Sequence, residues 1–185
     1  MKKILISSLI AISLFGWGGR GNCKAQFNQS MASSEYKTVY NLTQTQKEAL
    51  KFMYEEEKLA RDVYITLGNK WELRPFLNIQ KAEQAHMNAV KALLDKYHIV
   101  ANVNPSVGSF NIPELQNLYN QLVSKGLKSP KDALEVGRIV EITDIKDLDE
   151  RMVNATPDMK IVFSHLKTGS EHHLKAFNRF LNFYN

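Results

Sequence analysis

Four stretches of this sequence carry apolar side chains at alternating spacings of three and four, and each breaks its stripe near the middle with Glu, Asp or His. Such spacings put side chains on one face of an α-helix, so each stripe is a face that seeks a core. The first reads Leu50, Met53, Glu57, Ala60, Tyr64, Leu67, and the second Phe76, Ile79, Glu83, His86, Val90, Leu93, Tyr97. The third reads Leu134, Gly137, Glu141, Asp144, Leu148, and the fourth Met159, Phe163, Leu166, Ser170, His173, Phe177, Phe180, Tyr184. No segment alternates with a period of two, so the fold class expected is all-α with little or no sheet.

Local punctuation sets the helix limits. Thr45-Gln-Lys-Glu48 has the form of a capping box opening the first helix, which is expected to run to about Leu67 and leave through Gly68-Asn69. Pro75 suits the first turn of a second helix reaching about His98. Ser129-Pro130 and Thr156-Pro157 each place an N-cap hydroxyl before a proline and an early Asp, opening helices near 130–153 and 157–184. The first two helices are then joined by about seven residues and the last two by about three, which makes each pair antiparallel. Between the pairs lies a long connection, about 99–129, with Asn104-Pro105, Gly108 and a short amphipathic helix near 113–125. A four-helix bundle with one long crossover carrying a short extra helix is the expected architecture.

The beginning of the chain reads differently. Lys2 and Lys3 precede an apolar run from Ile4 to Phe15, then a Gly-rich stretch and Cys23-Lys24-Ala25. This is the pattern of a secretory signal peptide over residues 1–25, with residues 26–44 a polar, flexible lead-in and 45–185 the domain. The run is short of the roughly 20 residues a spanning helix needs, so cleavage is favoured over an uncleaved anchor. A lipoprotein through Cys23, the only cysteine, ranks lower because Arg20-Gly21-Asn22 is a poor approach to a lipidated cysteine. The expectation is an exported protein, periplasmic or extracellular, with no membrane contact after cleavage. Four of the 24 basic residues lie in residues 1–25, leaving 20 basic against 19 acidic residues. That balance gives no support for nucleic-acid binding. With no obvious exposed apolar stripe, a monomer or homodimer is expected.

The polar interruptions carry the chemistry. A buried carboxylate or imidazole costs several kcal/mol unless it is paired, protonated or bound to a metal. Glu57, Glu83, His86, Glu141, Asp144 and His173 fall at similar depth on their helices and can share that cost by holding a cation. Glu83-Gln-Ala-His86 has the i, i+3 spacing that puts both ligands on one face a turn apart. Glu57 and Glu141 match the single carboxylates of bundles that hold two metals, with Glu56 bordering the same face as Glu57. Tyr64, seven residues on from Glu57, would stand beside any open coordination position. Tyr97 and the phenylalanines 163, 177, 180 and 183 read as packing, and His98, His165 and His172 are assigned no function.

At these residues the chain resembles the ferritin-like superfamily, and within it a family of exported or hypothetical bacterial and archaeal ferritin-like domains with no assigned function. The stretches that carry the resemblance are Glu55 to Tyr64, Glu83 to Met87, Glu141 to Leu148 and Gly169 to Leu174, and it spans about residues 43–184. The Glu57 and Tyr64 pair is similar to the first helix of rubrerythrin-type members. The resemblance implies a mono- or dinuclear iron or manganese centre with oxidase or peroxide-related redox activity. One departure stands out. Ser170-Glu-His-His173 has Ser170 where a second Glu-x-x-His would place a metal-bridging carboxylate, and Glu171 lies about 100° around the helix. Asp144, one turn beyond Glu141, is the expected substitute oxygen ligand.

Two functional classes follow from the same residues. One is a metalloprotein whose oxygen and imidazole ligands suit iron or manganese, with zinc also accommodated. The other is a non-catalytic binding or structural module whose polar layer satisfies itself through hydrogen bonds and shifted protonation. Nothing in the sequence specifies a substrate.

Overall fold

A computed structural model describes residues 38–184. The expected signal peptide, Cys23 and the lead-in up to residue 37 lie outside the described residues. Those described form five α-helices and no strand: α1 (Gln44–Trp71), α2 (Arg74–Lys96), α3 (Pro113–Gly126), α4 (Pro130–Met152) and α5 (Pro157–Leu181), with a final 3₁₀ turn at Asn182–Tyr184. None of these helices is long and apolar enough to cross a membrane.

Several boundaries differ from the sequence expectation for local reasons. The capping box of α1 is Thr43 with Gln46, two residues earlier than Thr45 with Glu48. Thr43 Oγ1 accepts from the Gln46 N–H at 3.3 Å, and Gln46 Oε1 accepts from the Thr43 N–H at 2.9 Å. Just before it, Leu42 is buried in the core, so the last residues of the polar lead-in already pack against the domain. At its other end α1 runs through Gly68-Asn69 to Trp71, and Glu72 makes the left-handed exit at φ 52°. Trp71 anchors this extra turn by donating its indole N–H to the Gly126 carbonyl at 2.9 Å. Only Glu72 and Leu73 therefore link α1 to α2. Ser129 caps α4 as expected, accepting from the Asp132 N–H. Thr156 does not cap α5 with its side chain, because its hydroxyl donates to Asp158 Oδ1 at 2.6 Å instead. Phe183, expected to pack, is exposed.

The long helices pack α1 on α2, α4 on α5, α2 on α5 and α1 on α4, while α3 lies across α1 and α4. Their apolar residues separate into two clusters. One gathers Tyr64, Leu67, Phe76, Leu134, Val136 and Phe177, from the end of α1, the start of α2, the start of α4 and the end of α5. The other gathers Leu50, Met53, Val90, Leu93, Leu148 and Phe163 from the opposite ends. Each pair of linked helices is thus antiparallel, and the polar interruptions fall between the clusters. Full burial of a Leu or Phe side chain stabilises by about 1.5–3 kcal/mol, so the two clusters dominate the driving force and the polar layer is held from both sides.

A second set of buried charges fastens the crossover. Lys58 is 1% exposed and Asp62 is fully buried; their ion pair measures 2.5 Å. Lys58 Nζ also donates to the Ser106 and Ser109 carbonyls at 2.9 and 3.1 Å. Asp62 accepts from Arg61 and from the Gly108 N–H, and Glu55 accepts from the N–H groups of Asn111 and Ile112. The segment before α3 is thereby tied along α1 through groups that would otherwise be costly to bury.

Candidate metal centre

Glu57 on α1, Glu83 and His86 on α2, Glu141 on α4 and His173 on α5 meet between the two apolar clusters. The three carboxylates are 1% exposed and the two imidazoles are nearly buried. Glu83 sits at the centre. Its Oε2 lies 2.8 Å from His86 Nδ1, and its Oε1 lies 2.8 Å from His173 Nδ1. His86 Nδ1 is also 3.3 Å from Glu57 Oε2, and His173 Nδ1 is 3.5 Å from Glu141 Oε1. The two rings stack with centroids 5.5 Å apart. The i, i+3 spacing of Glu83 and His86 brings them together, and antiparallel packing supplies the rest from the other helices.

Gly169 makes room for this. A Cβ at that position would stand 2.5 Å from His86 Nε2, so the bare backbone of α5 is what lets the His86 ring lie against it. Gly137 does the same for Phe177, whose ring packs on Tyr64 and Phe76 with centroids 5.3 Å away. Tyr64 is completely buried and donates its hydroxyl to Glu141 Oε1 at 2.6 Å. Tyr64 thus orients one of the carboxylates of the layer.

The electrostatics follow from burial and proximity. Burial raises Glu57 to about 8, with the charge of Glu83 adding to it against the hydrogen bond from His86. Burial and the charge of Glu83 raise Glu141 to about 8. Burial would also raise Glu83, but the two imidazoles close to it, His173 and His86, outweigh it and bring it down to about 2. The imidazoles move the other way. Burial disfavours their charge, yet Glu57 and Glu83 hold His86 up at about 11, and Glu141 and Glu83 hold His173 at about 9. Burial and then the charge of Glu141 raise the Tyr64 hydroxyl. These directions favour an ionised Glu83 between two charged imidazoles, with Glu57 and Glu141 shifted toward their protonated forms.

Two three-ligand groups emerge, Glu57–Glu83–His86 and Glu83–Glu141–His173, each with its ligand atoms within 4.8 Å of one another. An ion bonded at about 2.0–2.2 Å to each ligand separates them by up to about 4.4 Å, so a small closure suffices. Glu57 Oε1, Glu83 Oε1 and His173 Nδ1 are buried without a hydrogen-bond partner. Contacts that are close yet leave these atoms unpartnered are what a converging ligand set presents, and the donors fit a cation.

The remaining sequence candidates fall around this core. Asp144 lies outside both groups: its Oδ2 accepts from Ser170 Oγ at 2.6 Å, and burial together with the charge of Glu57 raises its pKa. Ser170 thus faces the polar layer's edge as a donor, and Glu171 belongs to neither group. His172 is exposed. Tyr97 donates to Asp158 Oδ2, far from the centre. Sequence reasoning assigned the bridging position to the fourth long helix and so missed that Glu83 faces both imidazoles. It also left Glu56 as a rival to Glu57, whereas Glu56 is buried in a different direction.

An all-helical domain built around a buried Glu/His layer is thus the class that fold and site define. The chain belongs to the family described as "Uncharacterized protein domain (DUF2202)", which matches residues 46–183. It is 51% identical over 146 residues to uncharacterized protein MJ0754 of Methanocaldococcus jannaschii, covering 77% of this chain and 78% of that protein. The crystal structure described as hypothetical protein MJ0754 from Methanococcus jannaschii superposes with a TM-score of 0.78 at 48% identity, covering 80% of this chain and 85% of that one.

Proposed function

We propose that this protein is a ferritin-like metalloprotein that holds two ions of iron or manganese in its core. Glu57, Glu83 and His86 would bind one ion, and Glu83, Glu141 and His173 the other, with Glu83 shared. The observation that carries the reading is that sharing: one ionised carboxylate turns an oxygen toward each of two imidazoles, and two ligand triads converge on either side of it. Two antiparallel helix pairs joined by a long crossover support the ferritin-like comparison. Oxygen and imidazole donors suit iron and manganese, and accommodate zinc. Either of the first two, when bound, supplies one-electron redox chemistry, which makes an oxidase or peroxide-related activity the natural one.

The chain's own residues would do the rest. Glu57 and Glu141 give up their protons as the ions enter, Tyr64 keeps Glu141 oriented, and the two apolar clusters exclude water from above and below. The setting we propose is outside the cytoplasm, in the periplasm or beyond, as a monomer or homodimer freed of residues 1–25.

The test is metal content by mass spectrometry on protein purified without chelator, then loaded with iron, manganese or zinc. Two ions in the native chain and their loss in Glu83→Ala are expected. One observation favours a second reading, a non-catalytic module: each oxygen of Glu83 already lies 2.8 Å from an imidazole nitrogen, so ion pairing within the layer offsets part of its burial cost. In that case no metal is retained under any loading, and Glu83→Leu is close to neutral for stability, as replacement of buried polar pairs often is.

A further inference from the structure

The charges of the described domain are unevenly placed. At one end of the bundle α1, α3 and α5 finish and α2 and α4 begin, and there Lys70, Arg74, Lys128, Lys131, Lys175 and Arg179 are all exposed. Glu72 is the exposed carboxylate among them, while Asp132 and Glu135 are ion-paired to Lys125 at 3.3 and 3.0 Å. Toward the opposite end the surface charges cancel: Lys91 pairs with Asp95, Lys146 with Glu150, and Lys167 with Asp149. The near-neutral balance of the chain beyond residue 25 thus conceals a cationic end.

Large apolar side chains stand exposed among these cations. Leu127 follows the Gly126 carbonyl that accepts from the Trp71 indole, so it adjoins both Lys128 and the link from α1 to α2. Phe183 is 78% exposed and Tyr184 is exposed beside it. Phe183 meets Phe180 edge-on with centroids 6.1 Å apart, and the Arg179 guanidinium lies 5.7 Å from the Phe180 ring centre. Between the start of α4 and the end of α5 an open cavity of about 270 Å³ is lined by Lys131, Arg138, Asn178 and Asn182, with Glu135 already held by Lys125. Two cations and two amides there can donate to an anionic headgroup.

We propose that this end of the bundle docks on the surface of an anionic lipid bilayer. Leu127, Phe183 and Tyr184 enter the headgroup region, and the six exposed cations face acidic headgroups. Apolar and aromatic side chains set among Lys and Arg are what a protein that lies on such a bilayer presents to it. No described helix can cross the bilayer, so the contact is peripheral. A second copy of this chain is a poor occupant, because like charges would face each other. A soluble polyanion answers the cations but leaves Leu127 and Phe183 in water. The proposal departs from the expectation of no membrane contact after cleavage, because a chain total hides where the charges stand. It uses no residue of the Glu/His layer and so holds or fails apart from the metalloprotein reading.

The experiment is co-sedimentation of protein lacking residues 1–25, the form proposed above, with vesicles of phosphatidylcholine, alone or mixed equally with phosphatidylglycerol. Binding to the mixed vesicles, none to the neutral ones, and weakening as salt rises are expected. Lys128→Gln and Arg179→Gln should each weaken binding about fivefold. Phe183→Ser should weaken it about fivefold or more through lost apolar contact, and Lys91→Gln at the other end should leave it unchanged. All four side chains are exposed, so the variants keep the native melt. Trp71 is the one tryptophan left once Trp17 is gone, and its fluorescence should be quenched by brominated lipid in the mixed vesicles. No binding to mixed vesicles, equal binding to neutral ones, or equal weakening by Lys91→Gln overturns the proposal. So does an unquenched Trp71 in vesicle-bound protein, which places the contact elsewhere, or tighter binding to duplex DNA than to the vesicles.

Discussion

Gly169→Ala tests the architecture of the centre without touching a ligand. The added methyl carbon would stand 2.5 Å from His86 Nε2 and 2.8 Å from Cε1, where ordinary contact begins at 3.4 Å. The ring must therefore give way by close to 1 Å. It faces Glu83 and Glu57 at 2.8 and 3.3 Å through Nδ1, so it has to press into those carboxylates or turn out of the layer. Metal–nitrogen bonds of about 2.0–2.1 Å do not tolerate such a shift. The expected result is loss of the ion held by Glu57, Glu83 and His86 and retention of the one held by Glu83, Glu141 and His173, read as a fall from two ions to one by mass spectrometry. Stability should change little. Overpacking costs about 1–3 kcal/mol, while Ala in place of Gly inside a helix returns about 1 kcal/mol, for a net loss of about 0–2 kcal/mol.

Gly137→Ala is the control. Its methyl would meet the Phe177 ring at 2.3–2.5 Å, and that ring is backed by Tyr64 and Phe76. It should lower Tm by more than Gly169→Ala does, yet leave two ions in place. If Gly169→Ala kept both ions at native affinity, the argument that α5 positions His86 through bare backbone would be refuted.

Other outcomes follow from the same geometry. Metal uptake should strengthen with pH: Glu57 and Glu141 at about 8, His173 at about 9 and His86 at about 11 hold protons that binding must expel, so apparent affinity rises from about pH 6 to about pH 9. Calorimetry in buffers of differing protonation enthalpy reads the protons released, and uptake indifferent to pH would count against the assignment. Asp144→Ala is expected to keep both ions, since Asp144 belongs to neither triad; loss of one would restore it as the ligand that stands in for the carboxylate missing at Ser170. Lys58→Met removes one of the two cations on Asp62, leaving Arg61 on its other oxygen, and strips two loop carbonyls of their donor, at a cost of about 1–3 kcal/mol. Thermal melting and limited proteolysis of the 104–112 segment read that loss, and an unchanged melt would mean that the ion pair contributes nothing.

What was legible in the sequence was what depends on one helix and its period. The stripes on α1, α2 and α4 are inward as spaced, because three- and four-residue spacing decides the face whatever the neighbours are. The polar midpoints line up because the short links make antiparallel pairs, in which the middle of one helix must face the middle of the next. Helix ends were less legible. The cap of α1 depends on which of Thr43 and Thr45 meets its partner, and both have a side chain three residues on that can answer. The end of α1 was set by Trp71 reaching Gly126, a contact 55 residues away that no local rule contains. The shared role of Glu83 was hidden for the same reason: its second partner, His173, comes from another helix.

The three consecutive glutamates show how far a one-face reading of a helix can carry. Glu55, Glu56 and Glu57 cannot share a face, since successive residues are about 100° apart, so a helix with one buried stripe would expose at least one of them. All three are buried, along with Lys58 and Asp62. The cause is that α1 is covered on several sides at once, by α2, by α4 and by α3 with the segment before it. Each glutamate then meets a different surrounding. Glu57 turns to the imidazole of His86, Glu56 to the apolar cavity under α3, and Glu55 to the backbone N–H groups of Asn111 and Ile112. Five buried charged groups in eight residues would be ruinous on a helix with only apolar neighbours. They are tolerable here because Glu55 has backbone donors, and Lys58 and Asp62 have each other and the crossover loop. Glu56 and Glu57 are the two left with an orphan oxygen each, Oε2 and Oε1. The satisfied charges of α1 hold the crossover, and its two orphan oxygens belong to residues that line the cavity under α3 and the Glu/His layer.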